Sequence, residues 1–125
     1  MDALGKILGA REISEYAGNK KAFAAAGRAF LKQLLEDVGR ALTVTGSKVS
    51  FNPGGPAVAG DPSLYFVTEG GGGCAVYVTQ GFGGGNCFMY RRIEHMKDYR
   101  GGGNRWHGLR DGYEALVEAV AREAA

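Results

Sequence analysis

Two spacings of apolar residues divide the chain. From Phe23 onward apolar side chains return at helical intervals, at Phe30 and Leu34, with Leu31, Leu35 and Val38 beside them. Lys20, Lys21, Arg28 and Lys32 take the opposite side. This spacing predicts a helix over 20–38, with Asn19 as its N-cap and Gly39 as its C-cap. Ala24–Ala26 favour the helix, whereas Gly27 either permits close packing or weakens it by about 1 kcal/mol. A shorter helix over 4–17 would carry Leu4, Ile7, Leu8, Ile13 and Tyr16, interrupted near Gly9. A third segment, 109–125, presents Tyr113, Leu116, Val117 and Val120 as one stripe, and Asp111 followed by Glu114 reads as a capping box.

Between these segments the period shortens to two. Leu42–Thr45 and Lys48–Phe51 flank Gly46-Ser47, a dipeptide suited to a two-residue hairpin loop. Asn52–Pro62 holds all three prolines and reads as a loop. Strands follow at Leu64–Thr68, Cys74–Thr79 and Cys87–Ile93, separated by the glycine runs Gly70–Gly73 and Gly81–Asn86. In the middle strand Cys74, Val76 and Val78 share one face, and Ala75, Tyr77 and Thr79 share the other. Connections this short exclude parallel crossovers. The expected class is therefore α+β: an antiparallel meander of about 4–5 short strands packed against N-terminal and C-terminal helices.

Composition narrows this picture. With 125 residues, a single domain spanning 1–125 is expected. A hydrophobic share of 45% and a charged share of 22% match a folded globular chain and oppose intrinsic disorder. The 22 glycines are about twice the usual number, yet without a three-residue period they do not indicate collagen. No stretch is long and apolar enough for a membrane helix, no export signal is visible, and a cytoplasmic location is expected. Cys74 and Cys87 flank a hairpin, and the simplest register sets Cys87 opposite Gln80. Cys74 is then about 20 Å along the strand, so both read as buried free thiols.

Net charge is only +2, but it is unevenly placed. The segment 90–107 carries Arg91, Arg92, Lys97, Arg100 and Arg105 against Glu94 and Asp98, a local +3, so the remainder sums to −1. Tyr90, Tyr99 and Trp106 are interleaved with these cations. Arginine grips phosphate or carboxylate through two parallel donors, and exposed aromatic faces stack on bases or anchor protein interfaces. These eight residues form the candidate partner-binding site, facing either nucleic acid or an acidic protein surface. The bland alternative is a solvated strand end with Trp106 in the core.

Other chemistry finds less support. No Walker phosphate loop is present, and Gly81–Asn86 carries Asn where a dinucleotide fingerprint needs its third glycine. That run also leads into a strand, where no helix N-terminus awaits a pyrophosphate. His95 and His107, with Glu94 and Asp98 nearby, offer a general base and a small His-dependent hydrolase as the minor reading. Their spacing matches no familiar metal motif, so no metal and no cofactor are expected. The favoured function is a non-catalytic binding module. Small α+β chains with glycine-rich hairpins are similar in style to virus or mobile-element inhibitors and adaptors, which is the alternative. A membrane partner is not expected, and exposed sheet edges leave self-association open.

Overall fold

A computed structural model describes residues 20–51, 62–79, 87–100, 102–108 and 111–125. The helical spacing becomes α1, Lys20–Gly39, in which Phe30, Leu31, Leu34 and Val38 are wholly buried. Gly39 ends this helix without the left-handed backbone of a typical glycine cap. Instead the amides of Arg40 and Ala41 close the last turn on the carbonyls of Glu36 and Val38. The expected 4–17 helix, the Asn19 cap, the 81–86 loop and the expected 52–62 loop up to residue 61 lie outside the described residues, while Pro62 is not loop but opens β2 opposite Phe51.

Five strands follow: β1 (Val44–Phe51), β2 (Pro62–Thr68), β3 (Gly73–Thr79), β4 (Cys87–Ile93) and β5 (Arg105–Gly108). They form one antiparallel sheet in the order β1-β2-β3-β4-β5. The second helix, α2 (Tyr113–Ala124), closes the chain. The architecture is α+β.

The expected hairpin at Gly46-Ser47 does not form. Ser47 and Lys48 are mid-strand, opposite Phe66 and Tyr65 of β2, and the register shifts between Val44 and Gly46. A hairpin there would leave two short arms, whereas one continuous strand pairs with β2 from Val44 to Phe51. Turn propensity is a local preference, and the longer ladder outweighs it. Gly46 sits at the irregularity instead, and Val67 and Met96 border the space that a Cβ there would take, 3.4 and 3.7 Å away.

Two cores sandwich the sheet. On one face Leu64, Phe66, Cys74, Val76, Val78, Phe88 and Tyr90 meet Phe30, Leu34, Leu116 and Val120 from both helices. Phe30 stacks on Phe88 with centroids 4.8 Å apart. Gly27 is indeed a close approach, because a Cβ there would sit 2.3 Å from Pro62 Cγ. The opposite face is also buried, through Tyr65, Ala75, Tyr77, Met89 and Ile93, with Met96 and Tyr99 from the segment after β4 packed on it. Among the described residues the helices thus cover one of the two apolar faces.

Glycine is obligatory at the β2–β3 turn. Gly71 has φ 102°, and a Cβ at Gly73 would lie 2.2 Å from the Phe66 carbonyl oxygen. The expected capping box at Asp111 and Glu114 is replaced by Gly112 as N-cap, at φ 90° and with no side-chain cap bond. A backbone at positive φ favours glycine over the usual Ser or Asp cap. Its carbonyl is held from another element: His107 Nε2 lies 3.0 Å from it. The carbonyl can only accept, so Nε2 carries the proton.

The cysteine register differs by one residue from the expected one: Cys87 faces Thr79, and Cys74 faces Arg92. Five residues of strand still separate the two positions, about 17 Å. Cys74 is a free, buried thiol, and burial pushes its pKa well above the ordinary thiol value.

Candidate functional site

Pairing of β4 with β5 decides where the basic and aromatic residues go. Strand alternation sends Tyr90 and Arg91 to opposite faces, and it sends Trp106 to the face of its partner Met89. The eight predicted residues therefore do not form one patch. They separate into a buried group, a helix-capping group and an exposed group.

Tyr90 belongs to the helix-side core, 8% exposed. Arg91 is buried beneath the opposite face at 3% exposure. Its guanidinium donates to the Asp98 carbonyl oxygen at 2.6 Å and lies 3.7 Å from an Asp98 carboxylate oxygen. A weaker contact at 3.5 Å reaches the Tyr65 hydroxyl, itself hydrogen-bonded to the Tyr77 hydroxyl. Tyr99 packs edge-on against Tyr65 with ring centroids 5.4 Å apart. These three predicted contact residues build the fold rather than a surface.

Asp98 was not singled out by the sequence pattern, yet it organises the segment. Its carboxylate accepts Arg100 Nε and Nη2 at 2.9 and 3.0 Å and the Glu94 amide at 3.2 Å. The Asp98 amide in turn donates to the His95 carbonyl at 3.0 Å. The Arg100 hydrogen bonds hold this carboxyl well below the ordinary carboxylate range against the opposing effect of burial, with the Glu94 amide and the Arg91 charge assisting. In sequence Asp98 stood only as one of two acids, with Glu94, among the five cations of 90–107.

Arg92 lies on the helix side and closes the C-terminal end of α2. It donates to the carbonyls of Glu123 and Ala125 at 3.2 and 2.6 Å and pairs with Glu94 at 3.3 Å. Orphan carbonyls and the negative end of the helix dipole both favour a cation there. Gly72 leaves room for it, since a Cβ would come within 2.4 Å of Arg92 Nη2.

Beside Arg92, which is 41% exposed while capping α2, four predicted residues stay accessible. Lys97 is exposed, and the Arg100 side chain is 79% exposed while bound to Asp98. Arg105 is 64% exposed and meets Glu123 Oε1 of α2 at 3.0 Å. Trp106 is 52% exposed, the large hydrophobic side chain left most in water among the described residues. It shares the side of the sheet that carries the 94–100 segment. The core reading of Trp106 does not hold.

The histidines do not converge. His95 is exposed beyond the end of β4, whereas His107 sits opposite Phe88 near its beginning, anchored to Gly112. Among the described residues no three His, Cys, Asp or Glu side chains cluster as a metal site. No described helix is long and apolar enough to cross a membrane. Comparison with known proteins finds no matching family model, no matching curated protein and no matching solved structure.

Proposed function

We propose that this chain is a non-catalytic binding module that engages an acidic protein surface through Trp106, with Lys97 and Arg100 of the segment on the same side of the sheet and Arg105 on the other face of the same strand. The exposure of Trp106 on strand β5 carries this reading. Leaving a large indole in water is unfavourable for an isolated fold, and tryptophan and arginine are the residues most often found as anchors of protein interfaces. Nucleic acid is the weaker partner class because its affinity rests mainly on cations, and each arginine of the segment already faces a carboxylate of this chain, whereas a protein interface is anchored by the indole itself. Arg91 and Arg100 face Asp98, Arg92 faces Glu94 and Arg105 faces Glu123. Phosphate binding relies on cations free to replace counterions.

The test compares the wild-type chain with Trp106→Ala and Arg105→Ala for partner capture from native lysate, with and without nuclease. A protein captured despite nuclease, and lost with Trp106→Ala at unchanged melting temperature, is the expected result. Equal capture by both variants removes this surface. Capture that disappears with nuclease moves the reading to nucleic acid.

A further inference from the structure

We infer that the partner is recognised as an added β-strand: an extended segment, alternating acidic and apolar, that pairs along the outer edge of β5. This rests on the reading of Trp106 as a contact residue and adds the geometry of the bound partner.

Strand β5 ends the sheet order, and no described strand pairs with its outer side. The two edges of the sheet differ. Both edges carry an exposed cation, Lys48 on β1 and Arg105 on β5, but β1 also carries a register shift at Val44/Gly46, a familiar guard against strand addition. β5 has no such irregularity within Arg105–Gly108. The connection leading into it passes Gly102 and Gly103 at positive φ, φ 79° and 65°, with open space where a Cβ would stand.

Side chains on β5 also specify what would lie beside them. A neighbouring strand places its side chains directly across from those of β5, about 5 Å away. On one face it would meet Trp106, and on the other Arg105. The favourable occupant therefore sets an apolar residue against the indole and a carboxylate against the guanidinium. Arg105 already holds a carboxylate, that of Glu123, in an accessible pair. With the guanidinium 64% exposed and Glu123 only 21% exposed, a partner carboxylate adds at the open side of the guanidinium and leaves Glu123 in place. The local charge of +3 over 90–107 favours a partner of opposite sign, an acidic one.

The test uses the full chain and a capped synthetic hexapeptide of alternating Glu and Val, followed by fluorescence of Trp106, the only tryptophan. A second peptide has the same sequence with alternate backbone amides N-methylated, and a third replaces Glu by Lys. The acidic peptide should bind and perturb the backbone amides of 105–108. N-methylation should weaken binding about tenfold or more, since strand hydrogen bonds are lost while side chains stay. The Lys peptide should bind more weakly still, and Trp106→Ala, which has no tryptophan left and is followed through the backbone amides of 105–108 instead, should lose about thirtyfold.

Equal affinity of the methylated peptide overturns strand addition. Failure of the acidic peptide, while capture of a cellular partner still depends on Trp106, overturns the strand and leaves the binding surface standing. Binding of single-stranded DNA in preference to the acidic peptide overturns the acidic-strand occupant. So does a Trp106-dependent dimer in sedimentation without any peptide.

Discussion

Asp98 illustrates how much one side chain decides here. Its carboxylate is inaccessible, faces two arginines and accepts a backbone amide, and the segment from Glu94 to Arg100 is wrapped around it. Replacing it by Asn leaves the buried Arg91 charge without its counterion, and loss of one partner of such a pair costs about 3–5 kcal/mol. Asp98→Asn should therefore lower unfolding stability at neutral pH by about 3 kcal/mol or more in urea titrations. The sign with pH follows from the depressed pKa. Unfolding returns the carboxyl to its ordinary value near about 4, so its stabilisation is complete above that value and falls away as acid protonates it. Wild type and Asp98→Asn should accordingly converge as the titration is repeated at pH values of about 3 and below. A gap of constant size across this range would contradict the role given to the carboxylate.

Glycines at the same scale divide into required and dispensable ones. A methyl group at Gly73 collides with backbone, the Phe66 carbonyl, whereas at Gly39 nothing lies within 4 Å and φ is not positive. Gly73→Ala should destabilise by more than 1 kcal/mol, the sheet having to shift. Gly39→Ala should stabilise by about 0.5–1 kcal/mol through lower unfolded-chain entropy and better helix propensity. Thermal melts of the pair decide this, and equal shifts would show that close approach is not what holds the turn.

At the scale of elements, the two helices and the 94–100 segment cover opposite faces of one sheet. α1 and α2 are joined to one another by Tyr113, whose hydroxyl donates to the Asp37 carboxylate and whose ring meets Phe30 edge-on. That hydrogen bond lowers the Asp37 pKa, with Gln33 and Arg40 assisting, and burial together with the nearby carboxylate raises that of Tyr113. Leu34 lies at the centre of this layer with no exposed surface. Leu34→Ala should cost about 2–5 kcal/mol, the spread reflecting how far the site collapses. Trp106→Ala, on the edge strand, should change stability by roughly 0.5 kcal/mol while weakening partner binding. Chemical denaturation of the two variants side by side checks the contrast. A large stability loss for Trp106→Ala would place the indole in the folding core and remove it as an anchor.

Taken as a whole molecule, the sheet keeps its two cysteines apart. Cys74 and Cys87 pair with Arg92 and Thr79 on neighbouring strands, far beyond the roughly 7 Å that a disulfide spans. Mass spectrometry under native, non-reducing conditions should find no intramolecular bridge. Cys74, with no exposed surface and a raised pKa, should resist a thiol reagent until the chain unfolds. Rapid labelling of Cys74 in the native state would contradict the two-sided core.

Periodicity alone determined much of this protein. The apolar spacing of α1, the stripe of α2 and the alternation of Cys74–Thr79 follow from backbone geometry, which repeats every 3.6 or 2 residues whatever the neighbours. Short connections then made the sheet antiparallel. The tertiary structure decided what has no local period. Arg105–Gly108 carries no run of apolar residues, and it is a strand only because β4 offers a partner ladder. Gly46-Ser47 has the chemistry of a turn, yet pairing with β2 runs straight through it. The candidate site divided in the same way. Sequence located the cations and aromatics of 90–107, but strand alternation and the contacts across the sheet assigned Tyr90, Arg91 and Tyr99 to the interior and Arg92 to the end of α2. Lys97, Arg100, Arg105 and Trp106 remain at the surface because exposure is set by which elements lie above a residue, and only the folded chain contains that information.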